Sequence, residues 1–355
     1  AVRERVCPGK PYAIGLRLGD QASRELSDPA VLAAFQRWLE KHDCYIFTIN
    51  GFPYGQFHGT RVKEQVYAPD WTTPERLAYT NRLFELLAKL VPEGMEGSVS
   101  TVPCSFKEFI TTPEQVRAMR DNLWRCVEQI ARLSERSRKW LHLGLEPEPL
   151  CYLETSAETA EFFERMRADR PGDERLARHL GVNYDTCHLA VEFESPQEVL
   201  ERFRQYEVRI SKVHLSSALA VVPTAEARQA LAAFVDSVYF HQVVARAADG
   251  TLQRYRDLDE ALARSAECGV RSAEYGTRSG SQLSTLNPQL STILPEWRVH
   301  FHVPLHSRLT GRFENTTDHL LGILDLLARQ PGLCSHFEMR SEEHTSELQS
   351  RSDLV

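Results

Sequence analysis

Acidic and imidazole side chains lie at the ends of successive strand-like runs of this sequence. Glu146 ends the run WLHLGLE, and Asp185, His214 and Glu338 lie near the ends of GVNYDT, ISKVHLS and CSHFEM. Several carboxylates at one place repel one another unless a cation offsets their charge. Carboxylate oxygens and imidazole nitrogens together suit a divalent ion of the Mn, Co or Zn type. We therefore predict a divalent metal site, with Mn, Zn, Co and Mg all left open.

Three further imidazoles and a guanidinium extend this set. His188 follows Asp185 by three residues, and Arg298, His300 and His302 alternate with apolar residues in WRVHFHVP. That alternation places Arg298, His300 and His302 on one face of a strand. Each residue alone has a plainer interpretation, because a histidine in a strand is usually a hydrogen-bonded core residue and this face could line a wet cavity. The joint pattern nevertheless favours one shared site.

A polar segment near residue 50 is a candidate for substrate binding. Asn50, Tyr54, His58 and Arg61 follow a predicted strand and precede a helix. The glycines between them permit tight turns, so these residues are expected on a loop. The Arg61 guanidinium suits a phosphate or carboxylate of a substrate. The alternative is a turn-rich loop with ordinary surface charges.

The elements that position these residues are strands and helices in alternation. A Ser, Thr or Asp followed by Pro opens the helices predicted at 28–42, 73–90, 112–138 and 195–206, and Ser156 is the predicted N-cap of 156–168. Parallel strands need such crossover helices. We therefore predict an α/β fold, a (β/α)8 TIM barrel, which carries its catalytic groups at the C-terminal strand ends. No GxGxxG follows a strand, which weakens a dinucleotide-binding alternative.

Eight short β-rich runs are the predicted barrel strands. They are 12–18, 44–50, 97–103, 140–146, 181–186, 210–216, 297–304 and 334–339.

Two regions depart from this alternation. Residues 220–296 are interpreted as an insertion, either over the catalytic face or as a solvated excursion, within a single domain covering 1–339. Arg340 to Ser350 resembles the translation of a common short-read sequencing adapter. We therefore predict that 340–355 is a non-native tail.

Composition narrows the class of protein. The 355 residues carry a net charge of −7 with no basic stripe, so we expect no nucleic-acid partner. No apolar run reaches the length of a membrane span. The eight cysteines include no CxxC pair and are expected to be reduced, as in a cytoplasmic protein. The sequence does not begin with Met, so a signal peptide is not excluded, and the oligomeric state is left open.

The runs LEPEP, DTCH and VHLS resemble the xylose-isomerase-like TIM-barrel superfamily, which includes sugar isomerases and epimerases and the endonuclease IV type of AP endonuclease. More closely, the chain resembles the EboE family of metabolite traffic proteins from bacterial ebo clusters. That resemblance covers nearly all of 1–339. It rests on the segments INGFPYGQFHGTRVKEQVYAPDW, LEPEPLCYLET, NYDTCHLAVEFE, KVHLSSAL and HFHVPLH.

The resemblance implies a set of ligands. The superfamily's metal ligands fall on Glu146, Asp185, His214 and a glutamate of the last strand, and His302 matches a ligand of the endonuclease branch. Family members also have a further first strand with a Thr-Asn pair, and they end in a run such as LEVETYTW. Here only Glu338 of the two terminal glutamates is present. The implied barrel therefore lacks its first strand, has a truncated last strand and carries the insertion after the seventh strand.

Three functions remain open. The first is a metal-dependent isomerase or epimerase of a sugar or cyclitol. In this reaction Glu146 and Glu338 would move a proton of the substrate. His188 and Arg298 would stabilise an oxyanion, and His300 would contact the substrate. The second is a metal-dependent phosphoesterase related to AP endonucleases. The third is a non-catalytic protein that binds a biosynthetic metabolite.

Overall fold

A computed structural model describes the chain over 2–55, 63–237, 239–265, 295–307, 309 and 311–340. Among these residues, no helix is both long enough and apolar enough to cross a lipid bilayer.

The main sheet contains seven parallel strands, which lie side by side in chain order. They are β1 (Tyr12–Arg17), β2 (Cys44–Asn50), β3 (Gly97–Thr101), β4 (Leu141–Leu145), β5 (Leu180–Asp185), β6 (Arg209–Leu215) and β12 (Phe337–Met339). A Cβ atom on Gly15 of β1 would lie 1.9 Å from Oε1 of Glu338 on β12. The last strand thus lays a side chain directly against the first, and a larger residue at position 15 would displace the Glu338 carboxylate. The sheet is a nearly closed α/β barrel, which confirms the predicted fold class.

The central barrel strands are buried along their whole length, although they carry polar as well as apolar residues. Every residue of β3, β4 and β5 is buried, as expected for parallel strands covered on both faces. Twelve helices are described. They are α1 (Val2–Val6), α2 (Asp20–Leu26), α3 (Pro29–Lys41), α4 (Pro74–Leu90), α5 (Pro113–Ser137), α6 (Ser156–Asp169), α7 (Arg175–His179), α8 (Thr186–Val191), α9 (Pro196–Gln205), α10 (Ala225–Leu231), α11 (258–265) and α12 (Thr317–Arg329).

The helix entries largely follow the predicted caps. Asp28 accepts hydrogen bonds from the first turn of α3, and Thr112 forms a reciprocal capping box at the start of α5. The predicted cap of α6 is wrong by one residue. Thr155, not Ser156, is the N-cap, because its hydroxyl accepts from the Glu158 amide while the Glu158 carboxylate accepts from the Thr155 amide. Such a cap contributes about 1 kcal/mol to stability.

A second, antiparallel sheet interrupts the barrel between β6 and α12. Its strands, in spatial order, are β11 (Phe313–Asn315), β7 (Leu219–Val221), β10 (Glu296–Val299), β8 (Val243–Arg246) and β9 (Leu252–Tyr255). Of these strands, β8 and β9 lie within the range 220–296 that was predicted as an insertion, β7 and β10 cross its two ends, and β11 lies beyond it. One face of this sheet has its own apolar core, which includes Leu219, Trp297 and Phe313.

The run WRVHFHVP was predicted as a barrel strand, and this is wrong. Its first residues form β10, which pairs antiparallel with β7 and β8. The alternation of polar and apolar residues in this run does not distinguish it from a barrel strand, because β6 also alternates from Lys212 to Leu215. The pairing of the strands decides the assignment. His300 and His302 therefore come from outside the barrel sheet. They reach the barrel mouth, which is the end of the barrel where the C-terminal ends of the parallel strands lie.

Candidate metal centre

Three adjacent barrel strands bring together the first three predicted ligands. Glu146 directly follows β4, Asp185 ends β5 and His214 lies on β6, where its Cα is paired in register with that of Asp185. Each of the three is at least 99% buried. His214 Nδ1 lies 3.3 Å from Oε1 of Glu146 and 3.5 Å from Oδ2 of Asp185. One ligand atom from each residue lies within 4.8 Å of the others, at the C-terminal ends of the strands.

Neighbouring polar groups orient the two carboxylates. The Asn183 amide donates to Glu146 Oε2 at 2.8 Å, which leaves Oε1 facing His214. Asp185 is the N-cap of α8, and its Oδ1 accepts from the Cys187 amide and from the Ser216 hydroxyl. Oδ2 of Asp185 is therefore the oxygen that faces His214. Partners of this kind fix the first ligands of a metal and are part of the site.

Charge within this group holds both carboxylates ionised. Burial raises the pKa of Glu146, but His214 and Arg340 beside it lower that pKa to about 2. Burial and the Lys212 charge lower the pKa of His214, but the Glu146 and Asp185 carboxylates raise it to about 9. The protein thus presents two anionic ligands beside a protonated imidazole. A divalent cation bound there would take the place of the imidazole proton, which would be released.

Arg340 lies between the two carboxylates. Its Nη1 donates to Glu146 Oε1 at 2.7 Å and to Asp185 Oδ2 at 3.0 Å. The guanidinium therefore supplies positive charge where the carboxylates converge. The side chain at position 340 points into the ligand group, although 340–355 was predicted to be a non-native tail.

Glu338 lies on the other side of the His214 ring. Its Oε2 is 3.2 Å from Nε2 of His214, whereas Glu146 and Asp185 face Nδ1. Glu338 Oε2 also accepts from Nζ of Lys212 at 2.7 Å. The structure thus brings Glu338 to His214 but separates it from the other two carboxylates by the width of the imidazole. Its predicted roles as ligand and proton carrier stay predictions.

His188 on α8 presents a nitrogen to the same group. Its Nδ1 lies 2.9 Å from the Pro147 carbonyl, which can only accept, so Nδ1 carries the hydrogen. Nε2 lies 3.8 Å from Asp185 Oδ2 and has no hydrogen-bond partner within the described part of the chain, although the residue is 99% buried. In neutral imidazole this leaves a buried lone pair at Nε2, as a metal ligand requires.

His300 and His302 complete the mouth from the second sheet. Asp185, His188 and His302 each offer a ligand atom within 4.8 Å of the others, so Asp185 belongs to two candidate groups. His300 Nδ1 lies 2.8 Å from Oε1 of Gln242, and its Nε2 lies 3.0 Å from Nε2 of His302. The structure therefore brings both histidines to the predicted site.

Glu148 is a mouth residue to which sequence analysis assigned no role. The Tyr67 hydroxyl donates to its Oε1 at 2.6 Å, while its Oε2 is buried and has no hydrogen-bond partner among the described residues. Burial raises the pKa of Glu148. The His300 ring nitrogen Nδ1 lies 3.8 Å from its Oε1. The only signal in the sequence was its position two residues after Glu146.

Lys212 is the second residue that sequence analysis missed. It lies two positions before His214 on β6, and side chains at that spacing share one face of a strand. The side chain is 99% buried inside the barrel and donates to Thr48 and Ser100 as well as to Glu338. The alternation of the strand could have identified it.

Several predicted residues lie away from this group. Arg298 donates to Glu296 Oε1 at 2.7 Å and to the Ala190 carbonyl at 2.6 Å. Asn50 ends β2 and accepts from the Phe52 amide, and the Tyr54 ring packs edge-on against Tyr79. The structure does not bring these three to the carboxylates.

The loop that carries the remaining candidates for substrate binding is not described. His58 and Arg61 lie outside the described residues.

Comparison with known proteins gives only distant likenesses. No protein-family model matches the chain, and no curated protein matches its sequence. Solved structures of similar fold include a xylose isomerase-like TIM barrel protein from Mycobacterium smegmatis in complex with magnesium (TM-score 0.36, 18% identity, 58% of this chain and 62% of that one). They also include the IOLI protein with a bound zinc atom (TM-score 0.36, 17% identity, 57% of this chain and 63% of that one). A third is a D-tagatose 3-epimerase-like protein (TM-score 0.39, 16% identity, 59% of this chain and 69% of that one). The chain spans less than two thirds of the first two, and likeness at this level bears on neither activity nor ligand.

Proposed function

We propose that this chain is a metal-dependent isomerase or epimerase of the xylose-isomerase-like superfamily, close to the EboE family. Its substrate would be a sugar, a cyclitol or a similar polyol-derived metabolite. The observation that carries the proposal is the convergence of Glu146, Asp185 and His214 at the C-terminal ends of adjacent barrel strands. In barrels of this kind, that end of the sheet carries the active site.

The residues present fit a divalent ion. Two buried carboxylates and one imidazole supply three ligand atoms within 4.8 Å, and the buried Nε2 of His188 points toward the same place. The Arg340 guanidinium between Glu146 and Asp185 shows that a positive charge is accommodated there. When bound, the metal would supply a Lewis acid that polarises a substrate carbonyl.

The chain's own residues would move the proton. Glu148 has a raised pKa and an unpartnered Oε2 at the mouth, so it is suited to take a proton from the carbon beside the carbonyl. Glu146, whose pKa is held at about 2, is a weak base and serves better as a ligand. Nδ1 of His188 is held by the Pro147 carbonyl, so Nε2 is the nitrogen that would accept a hydrogen bond from a substrate hydroxyl or ligate a metal.

One observation favours a second candidate, a phosphoesterase with two metal ions. Asp185 belongs both to the group with Glu146 and His214 and to the group with His188 and His302. A carboxylate shared between two cation sites is the arrangement that such hydrolases use. Two mouth metals together with hydrolysis of p-nitrophenyl phosphate would favour this candidate over the isomerase.

The test is exchange of substrate hydrogen with solvent. The Arg340→Glu variant, which removes the competing guanidinium, is loaded with Mn, Co, Zn or Mg and incubated in D2O with a panel of ketoses and inososes. We expect deuterium at the carbon next to the carbonyl, detected by NMR. The matched control, Arg340→Glu with Asp185→Asn, should bind less metal and exchange no hydrogen. Metal binding without exchange across the panel would instead support a non-catalytic metabolite-binding protein.

A further inference from the structure

A second group of potential metal ligands lies at the opposite end of the barrel. Glu96 precedes β3, His142 is the second residue of β4, and His336 precedes β12. These are the N-terminal ends of parallel strands, whereas Glu146 and Asp185 lie at the C-terminal ends. One nitrogen from each histidine and one Glu96 oxygen all lie within 4.8 Å of one another. We call Glu96, His142 and His336 the lower triad.

Serine hydroxyls orient both imidazoles of the lower triad. Nδ1 of His142 is hydrogen-bonded to Ser211 Oγ, and Nδ1 of His336 lies 2.8 Å from Ser98 Oγ. His142 is fully buried, and its Nε2 has no well-aligned hydrogen-bond partner among the described residues while lying 3.4 Å from Glu96 Oε2. In a ligating histidine the other ring nitrogen is held by a hydrogen bond, as Nδ1 is in both rings here.

The lower triad combines two uncharged imidazoles with an ionised carboxylate that is paired with Arg209. Burial lowers the pKa of His142 to about 4 and that of His336 to about 3, so both rings are neutral near pH 7. His142, and more weakly Arg209, lower the pKa of Glu96 to about 2 despite its partial burial. Arg209 Nη2 donates to Glu96 Oε2 at 2.9 Å, as outer partners of ligating carboxylates do, although its charge opposes cation binding.

The lower triad is reached from a cavity. A cavity of about 480 Å³ is lined by Tyr45, Phe47, Met95, Glu96, Ser335 and His336. The side chain of Glu96 keeps 29% of its area exposed. The cavity thus provides an entry path and room for water or a small ligand beside the triad.

We propose that Glu96, His142 and His336 form a second metal site, which binds a transition-metal ion such as Zn²⁺ or Co²⁺ and leaves a coordination position open to this cavity. Two imidazoles with one carboxylate favour such ions over Mg²⁺ or Ca²⁺, which prefer oxygen ligands. The site is independent of the function proposed for the barrel mouth, because it shares none of its ligands.

The experiment titrates Co²⁺ into the full chain carrying Asp185→Asn, a change that weakens metal binding at the barrel mouth. Binding is followed by visible absorption, and the bound metal is counted by elemental analysis. We expect one Co²⁺ bound at the lower triad, displaced by Zn²⁺ but not by Mg²⁺. Adding Glu96→Gln should weaken this binding by about 10–100-fold or more, since loss of a ligand costs at least as much as loss of an outer partner.

Two further measurements keep the result interpretable. Glu93→Gln makes the same charge change at an exposed position three residues earlier and should leave Co²⁺ binding unchanged. Zn²⁺ should raise the thermal midpoint of the Asp185→Asn protein and should not raise it after Glu96→Gln is added, because a ligand stabilises only the state that binds it. Equal Co²⁺ affinity with and without Glu96→Gln would overturn the proposal and leave the lower triad as a hydrogen-bonded structural cluster.

Discussion

Nη1 of Arg340 lies 2.7 Å from Oε1 of Glu146, and this contact places a cation in the candidate metal centre. The same nitrogen reaches Asp185 Oδ2 at 3.0 Å, so one guanidinium contacts both carboxylates. Position 340 therefore faces the ligand group more directly than Glu338, which pairs with Lys212 beyond the His214 ring.

Arg340→Glu should convert a guanidinium-blocked site into one with a fourth ligand. The competing charge is lost and a carboxylate is gained at a position that faces Glu146 and Asp185. We expect affinity for Mn²⁺ or Zn²⁺ at the mouth to rise by about 100-fold or more, measured by isothermal titration calorimetry. Arg340→Lys retains the charge and is the matched control, with affinity close to that of the wild type. If all three proteins bind metal equally, position 340 does not face the site.

Stability of the metal-free protein should depend on the protonation of His214. The pKa of this imidazole is raised from 6.5 to about 9, because Glu146 and Asp185 outweigh burial and the Lys212 charge. Its contribution is therefore complete below pH 6.5 and is lost as the pH rises through 9. We expect the free energy of unfolding in urea, with chelator present, to fall by on the order of a few kcal/mol between those pH values. His214→Gln should remove most of this dependence, and an unchanged slope in that variant would assign it to other groups.

Glu148→Gln should separate proton transfer from metal binding. The amide keeps the size of the side chain and can still accept from Tyr67, but it cannot take up a proton. In the metal-loaded Arg340→Glu background, we expect deuterium exchange to fall by about 100-fold or more with metal affinity nearly unchanged. The fall in the exchange rate at acidic pH, which the raised pKa of Glu148 sets, should be absent from this variant. Full exchange activity in this variant would assign the base to another residue.

Lys212→Met should destabilise the barrel. The change leaves Glu338 without its 2.7 Å partner in a largely buried position. Removing one member of a buried ion pair costs about 3–5 kcal/mol, which urea unfolding would measure. Lys212→Met with Glu338→Gln should recover much of that loss, because no uncompensated charge remains. A double variant as unstable as the single one would mean that packing around Lys212, and not its charge, is what matters.

The sequence alone was enough to predict the barrel and several residues that meet at its mouth. Short β-rich runs separated by helices predict parallel strands, since each parallel crossover needs such a segment. Glu146, Asp185 and His214 could be named because they lie at strand ends, and strand ends converge at one edge of a parallel barrel. Polar and apolar alternation in WRVHFHVP did not reveal that this strand belongs to another sheet, because the barrel strand β6 alternates as well.

Tertiary structure decided which of these side chains share a site. Glu338 and Arg340 are separated by two residues, yet one contacts Lys212 and the other contacts Glu146. The lower triad joins positions 96, 142 and 336, which no local pattern connects. Strand register sets the height of each side chain along the barrel axis. The direction in which a side chain points follows from how strands that are distant in the sequence pair with one another. Those pairings are long-range contacts, so spacing along the chain does not encode them.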